Sequence, residues 1–330
     1  MAARTLTYRE ALTEALREEL DRDPSVFVIG EDINGGPQGY GGAFKVTKAL
    51  TAEYGERLLD TPIMEQTIIG TAIGAAMTGL RPVAEIMYED FLTLGMDLLV
   101  NTAAKTHFMT NGQYCVPMVV RAPYGAMGIG PQHSQTFTSW FMHVPGLHVA
   151  LPATPHDAKG LLKTAIRSND PVIFLEHKKL YNTKGEVPEE EYLVPFGQAR
   201  KVMAGGDLTL VAAGYMVQLA ADVAQALKAK EVAVEVIDVR TLAPLDLGTI
   251  AESVRKTHKA VIVAEDCRTA GPTAEIAAAI MDTCFGSLDA PVGRVGAKDT
   301  FIAHNAGMSE HAVPGSHDIE AAIMAVLDWA

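Results

Sequence analysis

Short apolar runs alternate with helix-like stretches along most of the chain, and the alternation restarts once. "SVFVIG" (25–30), "RPVAEIM" (81–87), "VPMVVRAP" (116–123), "GLHVALP" (146–152) and "DPVIFLE" (170–176) are strand-length apolar runs bounded by turn residues. Between them, 66–80, 90–109 and 156–168 carry helical periodicity, and "TYREALTEALREEL" opens with Thr7 and Glu10 at capping-box spacing. Strands that are apolar on both faces need cover on both faces, so the pattern predicts a parallel, doubly wound α/β sheet. The polar stretch "EHKKLYNTKGEVPEEEYLVPFGQARK", with Pro188 and Pro195, interrupts the series. After it come "DLTLVAAG", a helix at 215–229, "VAVEVIDVR", a helix at 246–257, "KAVIVAED", a helix at 271–284 and "APVGRVG". The expected organisation is two α/β domains, 1–185 and 201–330, joined by a linker at 186–200.

Ligands of open α/β sheets gather at the carboxyl ends of strands. "GEDINGGPQGYGG" (30–42) and "YGAMGIGPQHSQ" (124–135) fall there, yet neither is a GxGxxG and no phosphate-binding GxxxxGK[ST] occurs; in isolation they read as surface loops. "DTPIMEQTIIGTAIGAAMTG" (60–79) places one acid, Glu65, at the mouth of an otherwise apolar helix. Two readings stand: an acid in the first turn that favours the helix dipole, or a buried carboxylate whose partner is a ligand. His133 follows a glycine-rich loop, where an imidazole could exchange protons with a substrate or serve a merely structural role. Ser134 beside it lies in no GxSxG elbow. Tyr88 and Phe91, at a strand end, suit stacking on a planar ring or simple core packing. The small face of Gly70, Gly74 and Ala75 would admit another helix closely.

Among 330 residues, 40 acids oppose 27 bases for a net charge of -13, and no basic block appears. That argues against nucleic acid and anionic membranes as partners. The segment Ala122–His156 lacks Asp, Glu, Lys and Arg, but Pro123, Pro131, Pro145, Pro152 and Pro155 preclude a spanning helix. The start becomes charged within ten residues, without a signal core, and a cytoplasmic setting is expected. Cys115, Cys267 and Cys284 are too scattered for a disulfide framework or zinc site and read as small core residues.

In order, "VFVIGED", "GGAFKVTKAL", "LDTPIMEQTIIGTAIGAAMTGLRPVAEIMYEDF", "PQHSQ", "PGLHVALPATPHDAKGLLKTAIRSNDPVIFLEHKKLY", "GEVPEEEY" and "VIDVRTLAPLD" cover most of the chain. They closely resemble the beta subunit of the 2-oxo acid dehydrogenase component of pyruvate, branched-chain and acetoin dehydrogenase complexes. The resemblance implies a transketolase-like pyrimidine-binding domain followed by a transketolase C-terminal domain. It also implies thiamine diphosphate, bound between alpha and beta chains in an assembly of two of each. By that carry-over Glu65 hydrogen-bonds a ring nitrogen of the cofactor's aminopyrimidine, whose protonation favours the imino form that takes the thiazolium proton. Phe91 stacks on this ring, and Glu31, Met64 and Met87 line its pocket. His133 binds the substrate carboxylate and supports acyl transfer to lipoamide. A monovalent cation, potassium, would sit on backbone carbonyls of Met118, Ala165, Ile166, Ser168 and Asp170.

Magnesium and the diphosphate belong, in the family, to a Gly-Asp-Gly segment followed by an asparagine in the alpha chain, and "GGDLT" (205–209) is no such motif. This chain should therefore need that alpha partner. It should also meet a dihydrolipoyl acyltransferase, whose small binding domain docks on the family's C-terminal domain; "AVLDWA" could contribute. The expected activity is decarboxylation of a small-molecule 2-oxo acid with acyl transfer to lipoamide. Acetoin cleavage or acyloin formation is the alternative within thiamine chemistry, and a non-catalytic scaffold subunit the alternative outside it. Two departures stand out. "PIMEQ" puts Met64 where the family has a small polar residue, and "DTFIAHNAGMSEHAVPGS" (299–316) replaces a Pro-x-Pro-Tyr segment.

Overall fold

Thr7 starts the first helix, Tyr8–Arg22, by accepting the Glu10 N–H at 3.2 Å, while the Glu10 carboxylate takes the Thr7 N–H at 2.7 Å. Leu12, Ala15, Leu16 and Leu20 recur at helical spacing and are buried. The computed structural model to which this helix belongs describes residues 3–35 and 39–329. The chain forms two compact units: residues 1–124 with 140–196, and residues 125–139 with 197–330. This division places the segment Gly125–Ser139, which falls inside the expected first domain, with the second unit.

In the first unit, β1 (Ala3–Thr7) pairs antiparallel with β8 (Lys184–Pro188). The main sheet contains β2 (Val26–Glu31), β3 (Leu58–Thr61), β4 (Arg81–Glu85), β5 (Val119–Tyr124), β6 (His148–Ala150) and β7 (Val172–His177). Their order is β6-β7-β5-β4-β2-β3, and every neighbouring pair is parallel. The register sets Gly30 beside Asp60 on one side and Glu85 on the other, and Glu85 beside Arg121. Helix Pro155–Arg167 lies on the first helix, where buried Lys159 and Lys163 reach Glu18 at 2.7 and 2.5 Å. Carboxylate partners on the facing helix allow these lysines to be buried.

The second unit holds β9 (Arg200–Met203), β10 (Leu208–Ala212), β11 (Val234–Asp238), the short β12 (Thr241–Ala243), β13 (Ala260–Cys267) and β14 (Gly293–Ala297). Its sheet runs β14-β13-β10-β11-β9, with β9 antiparallel to β11 and the rest parallel. Helices Tyr215–Leu227, Leu247–Thr257, Pro272–Cys284 and Ser316–Leu327 complete it.

Two readings need correction. The stretch expected as one helix over 90–109 consists of a 3-10 segment (Glu89–Gly95), a π-helical segment (Leu98–Ala103) and a short α-helix (Ala104–Met109). Gly95 lies directly against Ile69, so its lack of a side chain lets this irregular segment approach the helix Glu65–Met77. Of the cysteines only Cys284 is buried; Cys115 is half-buried and Cys267 exposed. No helix among the described residues is long and apolar enough to cross a membrane.

Candidate active site

The carboxyl ends of β2 and β4 bring the first-unit residues to one edge of the sheet. Glu65 is the first residue of its helix and is 9% exposed; the preceding Met64 supplies no side-chain cap. No hydrogen bond from a described residue reaches its carboxylate. Glu31 closes β2, and its carboxyl is pushed up first by burial, then by the negative charges of Asp32 and Glu65. The two glutamates predicted for the site thus face each other electrostatically. Beside them Ile63 is 72% and Met64 56% exposed, an apolar lip around a buried acid.

Phe91 sits in the 3-10 segment with its N–H on the Tyr88 carbonyl at 3.0 Å. The rings of Tyr88 and Phe91 meet edge to face with centroids 6.0 Å apart. Above Tyr88 stands the ammonium of buried Lys178, 5.0 Å from the ring centroid. Met87 is half-buried just before this pair. Burial, then the nearby Asp90, pushes the Tyr88 phenol up.

Beneath this edge lies a network that sequence reasoning missed. Arg121 donates through Nη1 to Glu85 Oε2 at 2.7 Å, and through Nε and Nη2 to both Glu176 oxygens at 2.7 and 2.9 Å. Tyr181 donates to Glu176 Oε2 at 2.7 Å, and all four side chains are buried. Burial works against the charged guanidinium, yet Glu176 and Glu85 hold it above its ordinary value. Burial pushes the Glu85 carboxyl up, with Arg121 opposing. The signal was present: "RPVAEIM", "VPMVVRAP" and "DPVIFLE" each carry a charge at the closing end of an apolar run. A side chain at Gly30 would come within 2.6 Å of the Glu85 carbonyl oxygen, so only glycine allows β2 to lie this close.

His133 belongs to the second unit. It ends a 3-10 turn, Pro131–His133, and is half-buried. Its loop borders a cleft of roughly 310 Å³ whose lining includes Ser134, Gln135, Phe137, Glu265 and Phe301. Ser134 is 1% exposed and its Oγ has no partner among the described residues. The departing segment also lines it through Asp299, Thr300 and Phe301, the last 85% exposed. Next to the cleft, burial raises the Asp266 carboxyl from 3.8 to about 7, against hydrogen bonds from Thr138 and Ser139 and with added repulsion from Glu265.

A raised folded value means that Asp266 holds a proton in the folded chain and loses it on unfolding at mildly acidic pH. Its contribution to stability is present below about pH 4 and disappears as pH rises toward 7. Asp266→Asn mimics the protonated form. Its melting temperature relative to the parent should therefore climb by several degrees between pH 5 and pH 8, as thermal melts across that range would show.

Four of the five carbonyls expected to hold a cation accept a hydrogen bond within the chain. Arg81 Nη1 donates to the Ile166 carbonyl at 3.0 Å and the Ser168 carbonyl at 2.7 Å. The Ala165 carbonyl accepts from the Ser168 N–H at 3.2 Å and the Met118 carbonyl from the Val172 N–H at 2.9 Å, while Asp170 is exposed. The guanidinium supplies this turn with a positive charge of its own. Among the described residues no cluster of His, Cys, Asp or Glu is placed to hold a metal ion.

Comparison with known proteins matches two family models: the transketolase pyrimidine-binding domain over residues 4–184 and the transketolase C-terminal domain over residues 197–319. The chain is 43% identical to the beta subunit of acetoin:2,6-dichlorophenolindophenol oxidoreductase of Cupriavidus necator, covering 97% of each. It is 44% identical to the pyruvate dehydrogenase E1 component subunit beta of Rickettsia felis, covering 97% of this chain and 98% of that one. A solved split-gene transketolase, described as an inactive beta4 tetramer, superposes with a TM-score of 0.79 at 22% identity over 98% of both chains, a likeness of fold.

Proposed function

The chain belongs to the transketolase-like family as a beta subunit of the thiamine diphosphate-dependent 2-oxo acid dehydrogenases, and from that premise we propose that it supplies the aminopyrimidine half of an active site completed by an alpha chain. The observation that carries this reading is Glu65: a buried carboxylate at a helix start, free of hydrogen bonds from described residues and ringed by exposed Ile63 and Met64. An acid left in that state calls for a partner with a basic nitrogen. The donor set fits an aminopyrimidine, with a carboxylate for the ring nitrogen, the Phe91 ring for stacking, and Glu31, Met64 and Met87 for the walls. When bound, thiamine diphosphate supplies the nucleophilic carbon that attacks the substrate carbonyl.

Glu65 would share a proton with the ring nitrogen of the bound cofactor, its own burial strengthening that hydrogen bond. Glu31, whose own carboxyl is raised, favours sharing of protons at this edge. Phe91, held edge to face against Tyr88, would stack on the ring. His133 would receive the substrate carboxylate and assist acyl transfer to lipoamide on a dihydrolipoyl acyltransferase. Magnesium falls to the alpha chain, in an assembly of two alpha and two beta. A monovalent cation on the carbonyls of Met118, Ala165, Ile166, Ser168 and Asp170 would share two of them, Ile166 and Ser168, with the Arg81 guanidinium.

A second reading is acetoin cleavage, favoured by the 43% identity to the Cupriavidus necator subunit. Both readings predict that the chain purified alone turns over no substrate. Co-expressed with an alpha chain carrying the Gly-Asp-Gly segment, it should copurify and reduce a dye acceptor. Faster reduction with pyruvate or branched-chain 2-oxo acids than with acetoin supports the first reading, and the reverse order the second. An isolated chain that is active with magnesium and thiamine diphosphate would remove both.

A further inference from the structure

The segment Gly125–Ser139 carries His133 and is rich in glycine. Gly125, Gly128 and Gly130 take positive φ of 93°, 68° and 97°, conformations that glycine adopts freely. The bonds within it that close its turns are long: Gly125 N–H to the Gln135 carbonyl at 3.4 Å, and His133 N–H to the Gly130 carbonyl at 3.3 Å. Two adjacent acids at the end of β13, Glu265 and Asp266, respectively 6% and 4% exposed, grip its two ends. Glu265 Oε1 accepts the N–H of Ala126 at 2.5 Å, at one end of the segment. At the other end, Asp266 accepts the Thr138 hydroxyl at 2.9 and 2.8 Å through its two oxygens, and the Ser139 N–H at 3.3 Å. Consecutive strand residues point in opposite directions, which lets two neighbours reach both ends of one loop. Both anchor points are deep: Ala126 is 2% exposed, in a cluster with Ile302 and Ala312, and Thr138 is fully buried.

We propose that Glu265 and Asp266 form a clamp whose function is to position His133 for the reaction. The inference rests on the reading of His133 given above. Glu265, Asp266 and Thr138 are positioning residues; none needs to touch substrate. Hydrogen bonds to buried acid side chains, shielded from water, are electrostatically strong, so two such grips can set both ends of a glycine-rich loop. Misplacing a reacting group by about an ångström costs up to a hundredfold in rate.

The test uses the assembled alpha–beta enzyme and removes the Thr138 hydroxyl, leaving both acids in place. Thr138→Val should lower kcat about tenfold and speed hydrogen exchange selectively in peptides spanning 125–139. Thr138→Ser, which restores the donor, should return both to within about twofold of the parent. In a His133→Ala background, Thr138→Val should add no further loss, because a clamp has nothing left to position. If Thr138→Val fails to assemble, the smaller Thr138→Ala takes its place. A drop in the single variant that multiplies with that of His133→Ala would overturn the clamp, as would unchanged exchange over 125–139. Full activity of Thr138→Val alongside a crippled His133→Ala would do so too, leaving the histidine reading intact. Full activity of His133→Ala would instead remove the histidine reading, and the clamp with it.

Discussion

Glu65→Gln in the assembled enzyme is expected to reduce turnover by about a hundred- to a thousand-fold while the fold and the alpha–beta assembly persist. Gln keeps the shape and can still donate an N–H to a ring nitrogen, but it has no acidic proton to give up to it. The structural cost is small for two opposing reasons. An acid at the start of the helix Glu65–Met77 gains roughly 0.3–1 kcal/mol from the dipole, and the substitution forfeits that. It also removes the like charge that faces Glu31, whose carboxyl should then fall toward its ordinary range. The melting temperature should stay within about two degrees of the parent. Calorimetric titration of the complex with magnesium and thiamine diphosphate should show affinity weakened by about tenfold, the scale of one charge-assisted hydrogen bond. Turnover within threefold of the parent would end the assignment of Glu65.

The alternation of apolar runs and helical stretches carried most of the architecture, because a parallel sheet buried on both faces leaves few other ways to arrange such segments. The capping box at Thr7 and Glu10 was legible for the same reason: its physics is local. Glu65 was visible as an anomaly, since a lone acid opening an apolar helix is conspicuous, but its partner is absent from the chain and only the family resemblance named it. What escaped depends on tertiary partners. Glu85, Arg121 and Glu176 are far apart in sequence, and their charges make sense only when the register sets three strand ends side by side. The grouping of Gly125–Ser139 with the second unit escaped because a glycine-rich loop does not encode which core its ends join. The 3-10 and π segments within 90–109 pack on the helix Glu65–Met77, where Gly95 lies against Ile69, a tertiary contact that periodicity does not report.

Arg121→Met is expected to destabilise the first unit by about 3–5 kcal/mol, lowering the melting temperature by roughly 10 °C. The size follows from what is left behind. Glu85 and Glu176 are 3% and 0% exposed, and both lean on the one guanidinium. Methionine fills much of the volume, so the loss comes from uncompensated charge more than from a cavity. The carboxylates must take up protons to stay buried, which fixes the sign of the pH dependence. Groups whose folded value is raised stabilise at low pH and cease to do so as pH rises. The deficit of the variant should therefore be smaller at pH 5 than at pH 8. Tyr181→Phe, which removes one donor to Glu176 and no charge, should cost only about 1–2 kcal/mol and show little such trend. Because Glu85 abuts Gly30 and leads into Met87 and the Tyr88–Phe91 pair, the loss should reach the site as weaker cofactor binding in the assembled enzyme. Denaturant unfolding of both variants at the two pH values decides the matter: a deficit below about 1 kcal/mol, or one indifferent to pH, would show that the buried triad does not hold this edge of the sheet.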